Sequence, residues 1–208
     1  MKKQRLRFTG IRPLIMQSVC QMDLSTAAAE KRYNLNAQIK AARKKPDNFN
    51  ELLKLQQESF WVDWQASSYF YEDEKGAVVF YIPAEAIVKT LEAGAANAKA
   101  RREIVTGCIV EEDRVPVTGI PKHKTLRAYF EDPVFSMRTS IRVPPRTGAR
   151  NLTTKPMMPT GWVLEFDVTI TSDEVAPERV IKAAQQAGLT CGLGGWRPRF
   201  GRFEVTVL

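Results

Sequence analysis

Cysteine is scarce in this chain: Cys20, Cys108 and Cys191 are odd in number, far apart and without Cys-x-x-Cys spacing. That pattern suggests neither a disulfide framework nor a zinc site and fits a reducing cytosol. Long apolar runs are missing as well. The first residues, Met1-Lys2-Lys3, pass straight into "QRLRFTG" with no apolar signal core, and no later stretch reaches membrane-span length. A soluble, cytoplasmic protein with no membrane partner is expected. There is one histidine, His123, and no serine or cysteine sits in a nucleophile motif. Phosphate-binding fingerprints are absent too. After Gly192-x-Gly194 the place of a third glycine is held by Arg197, there is no Gly-Lys-Ser/Thr, and only one strand remains beyond, so neither a dinucleotide fold nor a P-loop is present. No cofactor is expected.

What is present is a globular composition, 44% hydrophobic over 208 residues, enough for one well-buried domain. The net charge of +8 and pI near 9.5 favour a polyanionic partner.

Along the chain, "RLRFTG" alternates and meets Gly10, which predicts a first strand. From Leu24 to Gln65 the residues are rich in Ala, Lys, Gln and Leu, predicting an inserted helical pair over 24–65, the second helix capped by Asn48 or Asn50. "SSYFYEDEKGAVVFYIP" predicts a hairpin turning at Lys75-Gly76, its aromatics read as packing. Pro83 starts one helix through "AEAIVKTLEAGAANAKARR", and "EIVTGCIVEE" follows as a strand. An irregular arm over 114–160 leads to the strand "WVLEFDVTI". Ser172 or Asp173 is expected to cap the helix "APERVIKAAQQAG", with Gly188 ending it before the last strand, "RFEVTVL". Without its insertions the order is strand, helix, strand, strand, helix, strand. This predicts an α+β, ferredoxin-like (RRM-like) split βαβ domain over 1–208, a fold that does not assign a function.

Two basic stretches are the candidate interface. In "GLGGWRPRFGR" the small residues Gly192, Gly194 and Gly195 expose backbone N–H groups beside Trp196, Arg197, Arg199 and Arg202. Arginines take phosphate oxygens and an indole stacks on a base, so the loop suits a sugar-phosphate strand approaching the glycine backbone. The plain alternative is a tight turn with Trp196 in the core and solvated arginines. Between Met137 and Trp162 the chain carries Arg138, Arg142, Arg146, Arg150 and Lys155 and no acidic residue, while Pro144 and Pro145 bar a regular helix. A positive hairpin clamping a nucleic-acid backbone is expected; a solvated loop is the alternative. Catalytic and metal candidates are weaker. His123, with Lys122, Lys124 and Tyr129, is the one acid–base candidate, for RNA cleavage, and Glu111-Glu112-Asp113 lacks a second ligand cluster, so no metal is expected.

The second helix, the loop "GLGGWRPRFG" and the closing strand resemble the C-terminal glycine-rich signature of the RAMP superfamily, the RNA-binding proteins of CRISPR effector complexes. "FTGIRPLIM" and "YIPAEAIVKTLEAGA" are similar to the first strand and first-helix entry of its backbone-subunit branch. The resemblance implies a ferredoxin-like palm with a β-hairpin thumb before the third palm strand, the place held by Met137 to Pro159. It puts the glycine loop on Gly192, Gly194 and Gly201, with Arg197 and Arg199 as its basic members. The layout is also similar to uncharacterised tailed-phage proteins, which would coat single-stranded DNA or imitate a host complex subunit. The expected function is therefore non-catalytic binding of single-stranded RNA or DNA by a homo-oligomer or filament along the strand. The alternatives are a metal-independent endoribonuclease using His123 and a protein-interaction module that imitates or blocks a CRISPR complex subunit.

Overall fold

The structure is a computed structural model that describes residues 1–18, 25–44, 49–142, 150–173 and 175–208. Cys20, Leu24, Asn48, Pro144, Pro145 and Arg146 lie outside the described residues. In chain order the elements are β1 (Lys2–Gly10), β2 (Leu14–Ile15), α1 (Ala27–Ala42), α2 (Phe49–Ser67), β3 (Phe70–Glu72), β4 (Val78–Pro83), α3 (Ala84–Gly94) and α4 (Ala98–Gly107). There follow β5 (Cys108–Val110), β6 (Arg114–Pro116), α5 (Leu126–Glu131), β7 (Ser136–Arg142), β8 (Arg150–Met158), β9 (Val163–Ile170), α6 (Pro177–Gln186) and β10 (Phe203–Val207). The chain is an α+β protein with several antiparallel sheets, and no helix among the described residues is long and apolar enough to cross a membrane.

Two compact units divide it. The first comprises Met1–Ile15, Tyr69–Thr125 and Met158–Leu208, the second Met16–Ser68 and Leu126–Met157. The helical pair and the hairpin, read from the sequence as separate insertions over 24–65 and 114–160, thus fall in one unit, and residues 114–125 and 158–160 go with the other.

In the first unit a four-stranded sheet runs in the order β10-β1-β9-β5, every pair antiparallel. Period-two alternation puts Leu6, Phe8, Leu164, Phe166, Val168 and Phe203 on one buried face. Phe8 stacks on Phe203 at 4.1 Å between centroids and meets Phe166 edge-on at 4.9 Å. Each such ring contributes about 1.5–3 kcal/mol by leaving water. Ile87, Thr90, Leu91 and Gly94 form the buried stripe of α3, and Val180, Ala183 and Ala184 that of α6. The two helices contact each other, α3 also β5 and α6 also β10. The other sheet face is ionic: Lys3 pairs with Asp167 at 3.4 Å, and Glu165 takes Arg7 at 2.7 Å and Arg5 at 3.8 Å.

Four sequence expectations are corrected here. The helix after Pro83 is two helices, because the Asn97 side chain accepts the Ala100 N–H at 2.9 Å and opens a new one. That second helix takes Glu103–Gly107 from the expected strand and leaves Cys108–Val110. Neither Ser172 nor Asp173 caps α6, which begins with Ala176 at the cap and Pro177 in its first turn, where a missing N–H is harmless. Nor does Gly188 stop it. A wider turn over Ala187–Cys191 carries the chain on to Gly192, at φ 75°.

In the second unit α1 and α2 pack together, and Thr26 caps α1 by accepting the Ala29 N–H at 3.2 Å. Asn50 lies inside α2. Trp64, fully buried, donates its indole N–H to the Phe135 carbonyl at 3.0 Å. The basic arm is a hairpin, β7 against β8 in a register that opposes Arg138 to Thr154 and Arg142 to Arg150.

Candidate nucleic-acid interface

At one end of the four-stranded sheet, two loops are tied together by their backbones. The Ile11 and Arg12 N–H groups both donate to the Arg202 carbonyl, at 2.9 and 3.2 Å, and the Gly201 N–H donates to Pro13 at 2.8 Å. Gly195 N–H donates to Ile15 at 2.8 Å, while the buried Trp162 donates its indole N–H to the Arg12 carbonyl at 2.8 Å. Within the glycine loop, the Leu193 N–H donates to the Gly201 carbonyl at 2.8 Å. The "FTGIRPLIM" and "GLGGWRPRFG" segments, nearly the whole chain apart in sequence, therefore form one rigid surface.

The glycines serve that surface from within. Gly192, Gly194 and Gly201 have φ of 75°, 79° and 70°, a region that L-residues rarely adopt. A Cβ on Gly194 would overlap the Ile15 carbonyl oxygen and come within 2.7 Å of Leu14 Cδ1. One on Gly192 would lie 2.6 Å from the Phe200 carbonyl oxygen. What Gly192 and Gly194 admit is the chain's own backbone.

The side chains outside the tie are cationic. Arg12, Arg197 and Arg199 are exposed, Trp196 is half-buried at φ 55°, and the Arg199 guanidinium lies 5.7 Å from the Phe200 ring centroid. Among the described residues Arg12, Arg197 and Arg199 form no ion pair, in contrast to Lys3, Arg5 and Arg7 on the sheet. Arg202 is half-buried, and its Nε is a buried donor with no hydrogen-bond partner among the described residues. A buried donor left open asks for an acceptor.

The hairpin residues divide. Arg138 is exposed and sits 5.5 Å from the Phe60 ring centroid. Arg142 and Arg150 are the last described pair of the backbone register, and Arg146 lies outside the described residues. Lys155 is 5% exposed and turned into the second unit, where its Nζ donates to Ser67 Oγ at 3.2 Å. Nearby, Asp63 accepts Thr153 Oγ1 at 3.3 Å and pairs with Arg32 at 3.0 Å. Burial pushes the Asp63 carboxyl up against the pull of Arg32, Lys155 and Thr153, and burial pushes the Lys155 amine down despite Asp63.

His123 is half-exposed between exposed Lys122 and Lys124, while Tyr129 is buried, its ring edge-on to Phe135 at 4.9 Å. Glu112 accepts the Asp167 N–H at 3.2 Å, and no group of three metal-capable side chains occurs among the described residues. Cys108 and Cys191 are free thiols. Arg12 is the surface cation that the sequence reading passed over; the signal for it was the "GIRP" turn after a strand, but only the fold brings it to the C-terminal loop. No protein-family model matches the chain, and no curated protein matches its sequence.

Proposed function

We propose that this protein binds single-stranded nucleic acid without cleaving it, on the paired loops that carry Arg12, Trp196, Arg197, Arg199 and Arg202. In this reading the four-stranded sheet with α3 and α6 is a ferredoxin-like palm, the β7–β8 hairpin a basic arm, and the likeness to the RAMP superfamily reflects common ancestry. Copies of the chain would line up along one strand.

The observation that carries the reading is the set of unneutralised guanidiniums on a surface stiffened by backbone hydrogen bonds. On the four-stranded sheet of the same unit, by contrast, each of Lys3, Arg5 and Arg7 has a carboxylate. Leaving Arg12, Arg197 and Arg199 without one keeps them available to phosphates, whose counterions would be released on binding. Trp196 adds a ring for stacking. The loops are held to one another before any ligand arrives, so little ordering would be needed on binding.

The test is a titration of the purified protein with labelled single-stranded RNA, single-stranded DNA and duplex DNA over a range of salt. Single strands should bind more tightly than duplex, with affinity falling steeply as salt rises. Duplex binding of equal strength at moderate salt overturns the reading.

A further inference from the structure

We propose that the outer face of the small sheet β3-β4-β6 is a base-stacking platform for the same strand, built by Tyr69, Tyr71, Tyr81 and Arg114. This inference rests on the single-strand reading above and concerns a different surface of the first unit. The aromatic hairpin reads from sequence as packing, and half of it is. Phe80, Ile82 and Val115 are buried at 1%, 2% and 0% exposure. Alternation turns their neighbours Val79, Tyr81, Arg114 and Pro116 to the opposite face, and the register sets Tyr71 beside Val79 and Tyr81 beside Pro116. There all three tyrosines are half-exposed and Arg114 is exposed.

The rings are near one another without covering one another. Tyr81 stands 5.7 Å from Tyr69 and 6.0 Å from Tyr71 between centroids, with planes inclined by 53° and 46°. Planes so inclined keep Tyr71 and Tyr81 from stacking face to face on each other, and both rings are half-exposed. The Arg114 guanidinium lies 5.3 Å from the Tyr81 centroid and forms no ion pair among the described residues. The second unit offers the contrast. Its Arg127 also lies over rings, Trp61 at 4.9 Å and Phe130 at 5.1 Å, but Glu58 at 3.6 Å and Glu131 at 3.1 Å neutralise it. That cluster is closed; the one at Tyr81 keeps its charge.

Nucleic acid fits this face better than a protein partner does. A protein hot spot would have a dry aliphatic centre, whereas the aliphatic groups here are Val79 and two prolines, Pro83 and Pro116. Tyrosines with an unpaired arginine supply what an unpaired strand needs, π-faces for its bases and a cation for its phosphates, without reading sequence.

The experiment separates bases from phosphates. Wild type, Tyr71→Leu, Tyr81→Leu and Tyr71→Phe are titrated with a single-stranded oligothymidine and with an abasic oligonucleotide of equal length and charge. Wild type should prefer the base-bearing strand, and each leucine variant should lose roughly fivefold or more on that strand. Binding to the abasic strand and the salt slope should stay unchanged, and Tyr71→Phe should behave as wild type. Should a leucine variant fail to fold, photocrosslinking of wild type to a halogenated-uracil strand gives the same answer, with adducts expected on Tyr69, Tyr71 or Tyr81. Folded leucine variants that keep the preference, crosslinks that map elsewhere, or a wild type indifferent to bases would overturn the platform while leaving strand binding intact. Self-association lost in the variants with base preference kept would reassign the face to a protein contact. A wild type that binds no single strand removes both readings.

Discussion

Gly194 lies so close to Ile15 that any Cβ on it would overlap the Ile15 carbonyl oxygen, the same oxygen that accepts the Gly195 N–H at 2.8 Å. The C-terminal loop is thereby locked to β2, the Leu14–Ile15 segment. Valine at position 194 meets both that overlap and a φ of 79°, so Gly194→Val should destabilise the fold by about 2 kcal/mol or more. Thermal melts should show it without any ligand, and Gly194→Ala should follow in the same direction. A Gly194→Val protein that melts as wild type would mean that the two loops are not held together in this way.

The exposed cations on those loops should behave as phosphate contacts. Arg12→Ala, Arg197→Ala and Arg199→Ala should each leave the melting temperature near that of wild type. Each should lower the slope of log affinity against log salt by about 0.7 for a single strand, one contact apiece. Arg7→Ala is the control, since Glu165 already holds that guanidinium at 2.7 Å. Slopes unchanged in all three loop variants would place the nucleic acid elsewhere.

Local signals carried much of the fold and little of the site. The first strand, the Gly76 hairpin, the helical pair and the strand 163–170 were legible because alternation, turn residues and helical spacing are encoded within a few neighbours. The break at Asn97 was not, because alanine-rich sequence on both sides favours helix and one side-chain hydrogen bond decides. The glycine loop announced itself as special, but its partner, the Leu14–Ile15 backbone, is a long-range contact that no local pattern records. Lys155 shows the same limit: a lysine in a basic stretch reads as surface, and only the packing of α2 against β8 turns it inward to Ser67.

His123 should prove dispensable. His123→Ala should bind single strands as wild type does, and wild type should not cut labelled RNA in the presence of a chelator. Cleavage abolished by His123→Ala would instead make the protein an endoribonuclease.

The thiols should differ in reactivity. Burial pushes the Cys108 thiol up to about 11, so at neutral pH it is protonated as well as shielded. Mass spectrometry after alkylation should find Cys108 unlabelled until denaturant unfolds the chain, whereas the half-buried Cys191 should label in the native state. Early labelling of Cys108 would show that β5 opens readily.

Lys155 carries the last prediction. It and Asp63 are buried at 5% and 8% exposure, so Lys155→Met should remove a compensating charge and destabilise by about 3 kcal/mol, less if Arg32 alone satisfies Asp63. Asp63→Leu with Lys155→Met should recover part of that loss. The pH dependence has a definite sign. Burial lowers the Lys155 amine below its ordinary 10.5 in the folded state, so between the folded value and 10.5 the unfolded chain holds more protons. Stability of wild type relative to Lys155→Met should therefore rise as pH climbs through that window, and be flat below it where both states are charged. Denaturant melts of the two proteins along an alkaline series measure the difference. A difference that falls with rising pH would mean that Lys155 gains, rather than loses, from its charge inside the fold. Strand binding by Lys155→Met should keep the wild-type salt slope, because a buried amine releases no counterion.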